Sequence, residues 1–221
     1  MEMNQICVSF DVKGGKKDIT DLMPSISLEN DFIVQYFGIW KVIDIVIKDL
    51  EAKTVLEFGT REGYSTRLFN KYIPEGDIFT VDIDKPKTDL SEFKNIHCIQ
   101  SDVMALEWSL PVDILYIDDW HNPWHLYSEL DKFSKHARVV MIHDVCLEMG
   151  NPSSLLRAIE EWCVRNMVVW TIYPMNGCGL AVIEIEKSRG FYANTIDRGC
   201  GTPRDGASET PPDVQPEPPT V

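Results

Sequence analysis

Residues 54–69 read TVLEFGTREGYSTRLF, and they predict a strand, a tight loop and the start of a helix. An apolar, β-branched run begins at Thr54 and meets an acid at Glu57, and Gly59 and Gly63 bracket the loop. Glycine adopts positive φ and lets a backbone approach a ligand closely, while the first turn of a helix offers unpaired N–H groups to an anion. We therefore expect a ligand-binding loop here, although an ordinary turn also fits an isolated glycine pair.

Strand-like and helix-like segments alternate along the rest of the chain, a pattern typical of α/β proteins. Residues 112–117 are almost continuously apolar, as are strands that are covered on both faces of a parallel sheet. We predict an α/β fold with a doubly wound, mostly parallel seven-stranded sheet and a C-terminal antiparallel hairpin. After the first strand, strands are expected at 78–83, 96–100, 112–117, 139–142, 167–173 and 180–185, and helices at 64–72, 125–136 and 152–166.

The composition of the chain changes near both of its ends. We expect residues 1–28 to form an irregular lead-in that contributes to a substrate lid or an oligomer contact. Residues 29–186 form the predicted α/β domain, which starts with a helix from Glu29 to about Glu51. Residues 187–221 are rich in glycine, proline and acidic residues and predict a flexible, proline-rich tail.

The net charge of −14 argues against nucleic acid or an anionic membrane as the main partner, because either would be repelled. The six cysteines are scattered, without a C-x-x-C pair, which favours reduced thiols in the cytoplasm. Lys41 and Asp44 interrupt the apolar segment 32–50, so a buried amphipathic helix is expected there rather than a membrane span. A small-molecule acceptor and a homo-oligomer contact are the partners we expect.

Polar side chains follow each of the first five predicted strands. Ligands of open parallel sheets bind outside the carboxyl ends of the strands, near the point where strand order reverses. Several carboxylates crowded at that edge repel one another unless a ligand or cation compensates them. The strand-end residues are Glu57 with Gly59, then Asp82, then Ser101 and Asp102, then Asp118, Asp119, Trp120 and His121, and then His143 and Asp144.

The chemistry of these residue types suggests roles for five of them. Asp82 is placed to accept both hydroxyls of a ribose, and Trp120 either stacks on an adenine or covers the sheet edge. Two histidines have the near-neutral pKa that proton abstraction requires, namely His121 and His143. Asp118 and Asp144, with His143, could instead hold a divalent cation that lowers the pKa of a substrate hydroxyl.

Three of these segments resemble class I S-adenosylmethionine-dependent methyltransferases. Residues 57–65 (EFGTREGYS) are similar to the E-x-G-x-x-x-G-Y-S motif of the catechol-type O-methyltransferases, and residues 113–121 (DILYIDDWH) are similar to their D-x-x-x-x-D-x-W-K segment. Residues 140–145 (VMIHDV) resemble their second metal-binding strand end. The family continues there with Asp and Asn, whereas this chain has His143 and Asp144. That pair also resembles a broader methyltransferase group with sugar and antibiotic substrates, which includes relatives known as cephalosporin hydroxylases.

The resemblance implies a Rossmann-like methyltransferase fold, S-adenosylmethionine as cofactor and O-methylation of a small molecule such as a phenol, a sugar or a secondary metabolite. A divalent cation such as Mg²⁺ is a second implied cofactor. Asp118 is implied as a metal ligand, and His121 stands where the family has its catalytic lysine. The cofactor residues that the resemblance implies are Glu57, Gly59, Thr60 and Gly63 around the methionine, Ser65 at its carboxylate, Asp82 at the ribose, and Ser101, Asp102 and Trp120 at the adenine. Asp118 is also expected among the cofactor-binding residues.

Two other functions fit parts of the sequence. A nicotinamide-dependent oxidoreductase shares the strand, glycine loop and helix, but its G-x-G-x-x-G spacing requires glycine where this chain has Arg61. A non-catalytic cofactor-binding or scaffold protein would keep the fold and use the acidic, proline-rich tail for docking.

Overall fold

The computed structural model describes residues 31–146, 154–174 and 178–186. The predicted lead-in 1–28 and tail 187–221 lie outside these residues, as does the proposed helix start at Glu29. Within the described ranges, seven strands form one sheet in the order β3-β2-β1-β4-β5-β7-β6. The strands are β1 (Thr54–Phe58), β2 (Asp77–Asp82), β3 (Ile96–Gln100), β4 (Val112–Ile117), β5 (Ala137–His143), β6 (Val169–Tyr173) and β7 (Leu180–Glu184).

The first five strands are parallel, and β7 pairs antiparallel with both β5 and β6. This confirms the predicted doubly wound sheet with its closing antiparallel hairpin. The strand order reverses between β1 and β4, so the carboxyl ends of these two strands border the crevice in which ligands of such sheets bind.

In the part of the chain that the structure describes, four α-helices cover the two faces of the sheet. They are α1 (Asp31–Leu50), α2 (Tyr64–Tyr72), α3 (Pro123–Phe133) and α4 (Leu155–Asn166). Alternate residues of β4 belong to two separate cores, with Leu115 facing the core of α3 and α4, and Tyr116 facing the core of α1 and α2. Burial of both faces explains why the sequence of β4 is almost continuously apolar.

Helix α1 is the apolar segment that raised the question of a membrane span. No helix in the described ranges is long and apolar enough to cross a bilayer. Ile39 and Ile43 of α1 are fully buried against the sheet. Asp44 is also buried, and its carboxylate pairs with Lys48 at 2.8 Å.

Several predicted boundaries were wrong, and local capping explains most of the differences. Helix α3 begins at Pro123 rather than residue 125, because the side chain of Asn122 caps the helix by accepting from the N–H groups of residues 124 and 125. The helix ends at Phe133, and a 3₁₀ turn at Ser134–His136 completes the predicted segment. Strand β6 begins at Val169, since Met167 ends α4 in the left-handed conformation.

Other boundaries moved by one to three residues. Strand β5 is longer than predicted and includes His143, while β2 ends at Asp82 and leaves Ile83 exposed beyond it. Helix α4 begins at Leu155 with Ser154 as its N-cap. The predicted helix proline, Pro152, lies outside the described residues.

Candidate active site

The loop after β1 is held against the end of β4. Gly59 has φ +92°, and a Cβ on it would lie 2.7 Å from the carbonyl carbon of Asp118 and would overlap the carbonyl oxygen. Gly63 also has positive φ, but a Cβ there would meet the side chain of Leu90 at 3.2 Å. Both glycines are therefore needed for the path of the chain, and Gly63 contacts the protein at the position where close approach to a ligand was expected.

Asp82 organises the same loop from the end of β2. Its Oδ2 atom accepts hydrogen bonds from the backbone N–H groups of Thr60 at 2.9 Å and Arg61 at 3.0 Å. Its Oδ1 atom accepts from the N–H group of Asp84 at 3.0 Å. The carboxylate is thereby fixed at the mouth of the crevice, in an orientation set by the backbone around it.

A cavity of about 520 Å³ opens beside this loop. Its volume lies within the range of about 300–1,000 Å³ that is usual for small-molecule sites. Five of the ten predicted cofactor residues line it, namely Gly59, Asp82, Ser101, Asp102 and Trp120. Seven further residues line the cavity that were not predicted as cofactor ligands, and these are Arg61, Val81, Ile83, Val103, Met104, Asp119 and His125.

Asp102 and Trp120 are two of the residues that shape the cavity. Asp102 caps a 3₁₀ turn at Val103–Ala105, and its Oδ1 atom accepts from the N–H group of Met104 at 2.8 Å. This turn brings Val103 and Met104 to the wall. Trp120 is 65% exposed, and the centroid of its ring lies 5.3 Å from that of His125, which lines the same cavity.

Glu57 lies beneath the loop rather than on the cavity wall. It is fully buried, and the hydroxyl of Thr66 donates to its Oε2 atom at 2.5 Å. Burial raises the pKa of Glu57 to about 7, while hydroxyls of Ser65, Thr66 and Thr80 oppose that rise by stabilising the charged form. Ser65 is thus directed at Glu57 in this structure.

Thr60 also turns inward. It is buried, and its hydroxyl lies 2.6 Å from the hydroxyl of Thr80. Its backbone N–H donates the hydrogen bond to Asp82 Oδ2. The predicted methionine-end residues therefore form a connected set of hydrogen bonds under the β1–α2 loop.

A second group of side chains lies at the ends of β4 and β5. The Nδ1 atom of His143 is 3.3 Å from Asp118 Oδ1 and 3.1 Å from Asp144 Oδ1. Ligand atoms of all three residues lie within 4.8 Å of one another, as a shared metal ion would require. Asp144 takes φ +57°, a left-handed conformation that aspartate and asparagine tolerate better than most residues. The structure thus brings together the three predicted metal ligands.

The charges in this group are strongly coupled. Burial alone would lower the pKa of His143, but Asp118 and Asp144 outweigh it and raise that pKa to about 10. Burial would raise the pKa of Asp118, and hydrogen bonding to His121 and His143 instead holds it below its usual value. In the absence of another cation, the imidazolium of His143 is therefore the positive charge that compensates the two acids.

The two candidate bases occupy different environments. The side chain of His143 is 1% exposed, whereas that of His121 is 40% exposed. His121 Nε2 lies 3.5 Å from Asp144 Oδ2 and 3.8 Å from Asp118 Oδ1. Hydrogen bonding to Asp118 raises the pKa of His121. Of the two histidines, His121 is the one that an acceptor molecule can reach.

A third group was not anticipated from the sequence. It consists of Asp119, His125 and Glu129, whose ligand atoms also lie within 4.8 Å of one another. Burial raises the pKa of Glu129 to about 8, and the adjacent Glu129 carboxyl is the main cause that raises the pKa of His125 to about 9. A histidine and a glutamate four residues apart on a predicted helix share one face, and this was the available signal.

Comparisons with known proteins identify the fold. No family model and no curated protein matches the chain. Among solved structures, a provisionally assigned caffeoyl-CoA O-methyltransferase from Staphylococcus aureus matches with a TM-score of 0.53 and 12% identity over 75% of this chain and 88% of the other. The N-methyltransferase NodS from Bradyrhizobium japonicum WM9, solved with S-adenosyl-L-homocysteine, matches with a TM-score of 0.52 and 10% identity over 71% and 89%.

A third match has similar strength. A provisionally assigned O-methyltransferase from Nostoc punctiforme PCC 73102 has a TM-score of 0.52 and 11% identity over 66% of this chain, and the chain spans only 56% of that protein. Identities this low demonstrate a common fold. The chain therefore has the fold of the class I S-adenosylmethionine-dependent methyltransferases, with the same sheet and the same antiparallel closure.

Proposed function

We propose that this protein is an S-adenosylmethionine-dependent methyltransferase that methylates a hydroxyl oxygen of a small molecule. The observation that carries the proposal is the cavity at the reversal of strand order, where Gly59, Asp82, Asp102 and Trp120 meet. An acid at the end of β2 suits the two hydroxyls of a ribose, and Trp120 offers an aromatic face to an adenine. The matched solved structures support the same cofactor class through their shared fold.

The chain's own residues fit this cofactor at both ends. Asp82 is fixed by three backbone N–H groups, which leaves its carboxylate preorganised for hydroxyl donors. At the other end, α2 begins at Tyr64, and its N-cap residue, Gly63, has no side chain to cap the helix. The first turn is thereby left to bind a carboxylate such as that of methionine.

The reaction requires little covalent chemistry from the protein. S-adenosylmethionine supplies an activated methyl group on a positively charged sulfur. With both reactants bound, the methyl group would pass from sulfur to the acceptor oxygen, S-adenosylhomocysteine would leave, and the acceptor proton would pass to a base. We assign that role to His121, because it is accessible and lies near the two acids, and the protein otherwise acts by positioning the reactants.

We assign a divalent cation to Asp118, His143 and Asp144. Two carboxylates and one imidazole converge within 4.8 Å, and the burial of His143 makes it better suited to hold an ion than to exchange protons with a substrate. A cation such as Mg²⁺ at these residues would lower the pKa of an acceptor hydroxyl. This set contains His143 where the catechol-type enzymes have an aspartate, so a softer ion such as Mn²⁺ is also compatible.

The proposal is tested by incubating the purified protein with S-adenosylmethionine labelled in its methyl group and a panel of phenols, sugars and hydroxylated metabolites. We expect labelled methyl ether and S-adenosylhomocysteine in equal amounts with at least one acceptor class. Thermal stabilisation by S-adenosylmethionine without methyl transfer to any acceptor would instead support the non-catalytic binding protein. Binding of a nicotinamide dinucleotide in its place would contradict the proposal.

A further inference from the structure

A second cluster of potential metal ligands, two of which line the cavity, is separate from Asp118, His143 and Asp144. Asp119 follows β4, and His125 and Glu129 lie one turn apart on α3. The Nε2 atom of His125 is 3.4 Å from Asp119 Oδ2 and 3.4 Å from Glu129 Oε1. One ring nitrogen is thus equidistant from two carboxylates on different elements.

These distances are poorly suited to hydrogen bonds. A charged N–H group usually lies about 2.7–2.9 Å from a carboxylate oxygen, and one N–H cannot point directly at two oxygens. Ligand atoms about 2.1 Å from a tetrahedral zinc ion lie about 3.4 Å from one another. The two distances from His125 therefore match ligands of one metal ion better than they match a protonated histidine shared between two acids, and the two carboxylates lie within 4.8 Å of each other.

The burial of two carboxylates is a second, independent observation that points to a metal ion. The side chain of Glu129 is 0% exposed, and among the described residues neither of its carboxylate oxygens accepts a hydrogen bond. Asp119 Oδ1 is also buried without a hydrogen-bond donor in the same part of the chain. Buried carboxylates are normally hydrogen-bonded, paired or bound to metal.

We propose that Asp119, His125 and Glu129 bind a divalent transition-metal ion, for which Zn²⁺ matches the spacing. One imidazole and two carboxylates form a donor set suited to Zn²⁺ and related ions. Asp119 and His125 also line the large cavity, so a remaining coordination position is accessible from it. This site is distinct from the cation site assigned above, and its existence does not depend on methyl transfer.

The test uses the full chain after removal of metals with a chelator. Zn²⁺ is titrated by calorimetry into the wild type, Asp144→Asn, and the double variant Asp144→Asn/Glu129→Gln. Asp144→Asn disables the neighbouring cluster, and Glu129→Gln makes the same acid-to-amide change in the proposed site. Asp119→Asn replaces Glu129→Gln if that variant does not fold, as judged by circular dichroism.

We expect Asp144→Asn to bind one Zn²⁺ per chain and the double variant to bind it more than about a hundredfold more weakly, since loss even of an outer-shell partner costs about 10- to 100-fold in affinity. Co²⁺ in Asp144→Asn should show the visible absorption of a tetrahedral ion with nitrogen and oxygen ligands, and the double variant should lose it. The proposal is overturned if Asp144→Asn binds no Zn²⁺, if the double variant binds it equally well, or if a thiolate-to-cobalt absorption shows that cysteines hold the ion.

Discussion

His143 and Asp118 lie at the ends of neighbouring parallel strands, and His143 Nδ1 is 3.3 Å from Asp118 Oδ1. Asp144 approaches the same nitrogen at 3.1 Å. The residues that meet at this nitrogen therefore come from the ends of β4 and β5, and one positive charge is shared by two acids. The contact links the predicted base, His121, to the predicted metal ligands, because His121 faces the same two carboxylates.

The cation proposal predicts that Asp144→Asn lowers turnover sharply. Asparagine keeps the size of the side chain and tolerates the left-handed backbone at this position, so loss of the charge is the main change. We expect a fall of at least about a hundredfold in kcat with an acceptor from the panel. In the wild type, chelation should cause a similar loss that added Mg²⁺ or Mn²⁺ reverses. Activity that survives both treatments would remove the cation from the mechanism.

The base assignment predicts that His121→Ala lowers kcat by about 10²- to 10⁴-fold. His97→Ala is the matched control, because His97 is an exposed histidine at the edge of the sheet that pairs with Asp77. In metal-free protein the pKa of His121, followed by NMR, should lie above the ordinary histidine value, because Asp118 and Asp144 stabilise the charged imidazolium. Full turnover by His121→Ala would show that another group acts as the base.

The raised pKa of Glu57 leads us to predict that this residue makes the free energy of unfolding fall as pH rises. Its pKa rises on folding from an ordinary value of 4.5 to about 7, so the folded state holds the proton more tightly than the unfolded state. The contribution of Glu57 to the free energy of unfolding is therefore largest below pH 4.5 and falls by about 3 kcal/mol as pH rises through 7. Glu57→Gln should be more stable than the wild type at pH 8, and their difference should shrink at pH 5.

Chemical denaturation at several pH values measures this effect. The slope with pH between about 5 and 7 should differ between the wild type and Glu57→Gln, whatever the other acids contribute. Parallel curves for the two proteins would show that Glu57 keeps an ordinary pKa in the folded state.

We predict that substitution by alanine destabilises the protein by different amounts at the two loop glycines, Gly59 and Gly63. At Gly59 a methyl group would overlap the backbone of Asp118, which cannot rotate away, and φ is positive. Gly59→Ala should therefore destabilise the protein by about 3 kcal/mol. At Gly63 the new methyl group meets only the movable end of Leu90, so Gly63→Ala should cost about 1 kcal/mol. Equal losses in denaturation experiments would contradict this account of the loop.

The sheet and much of the candidate site could be predicted from the sequence for one physical reason. Parallel strands place their carboxyl ends at one edge, so residues such as Asp82, Asp118 and His143 could be brought together without knowing any distance. The cluster around Glu129 could not be predicted in this way, because it depends on how α3 is rotated against β4. The inward orientation of Ser65 towards Glu57 likewise depends on packing beneath the loop.

Cofactor binding at Asp82 is the central claim, and calorimetry with S-adenosylmethionine tests it most directly. We predict one binding site per chain, with an affinity that Asp82→Ala lowers at least about tenfold, because hydrogen bonds to a charged group contribute about 1.5–3 kcal/mol. Asp84→Ala is the control, because Asp84 donates to Asp82 through its backbone N–H, which alanine keeps. Absence of binding, or equal affinity in the wild type and Asp82→Ala, would contradict the account.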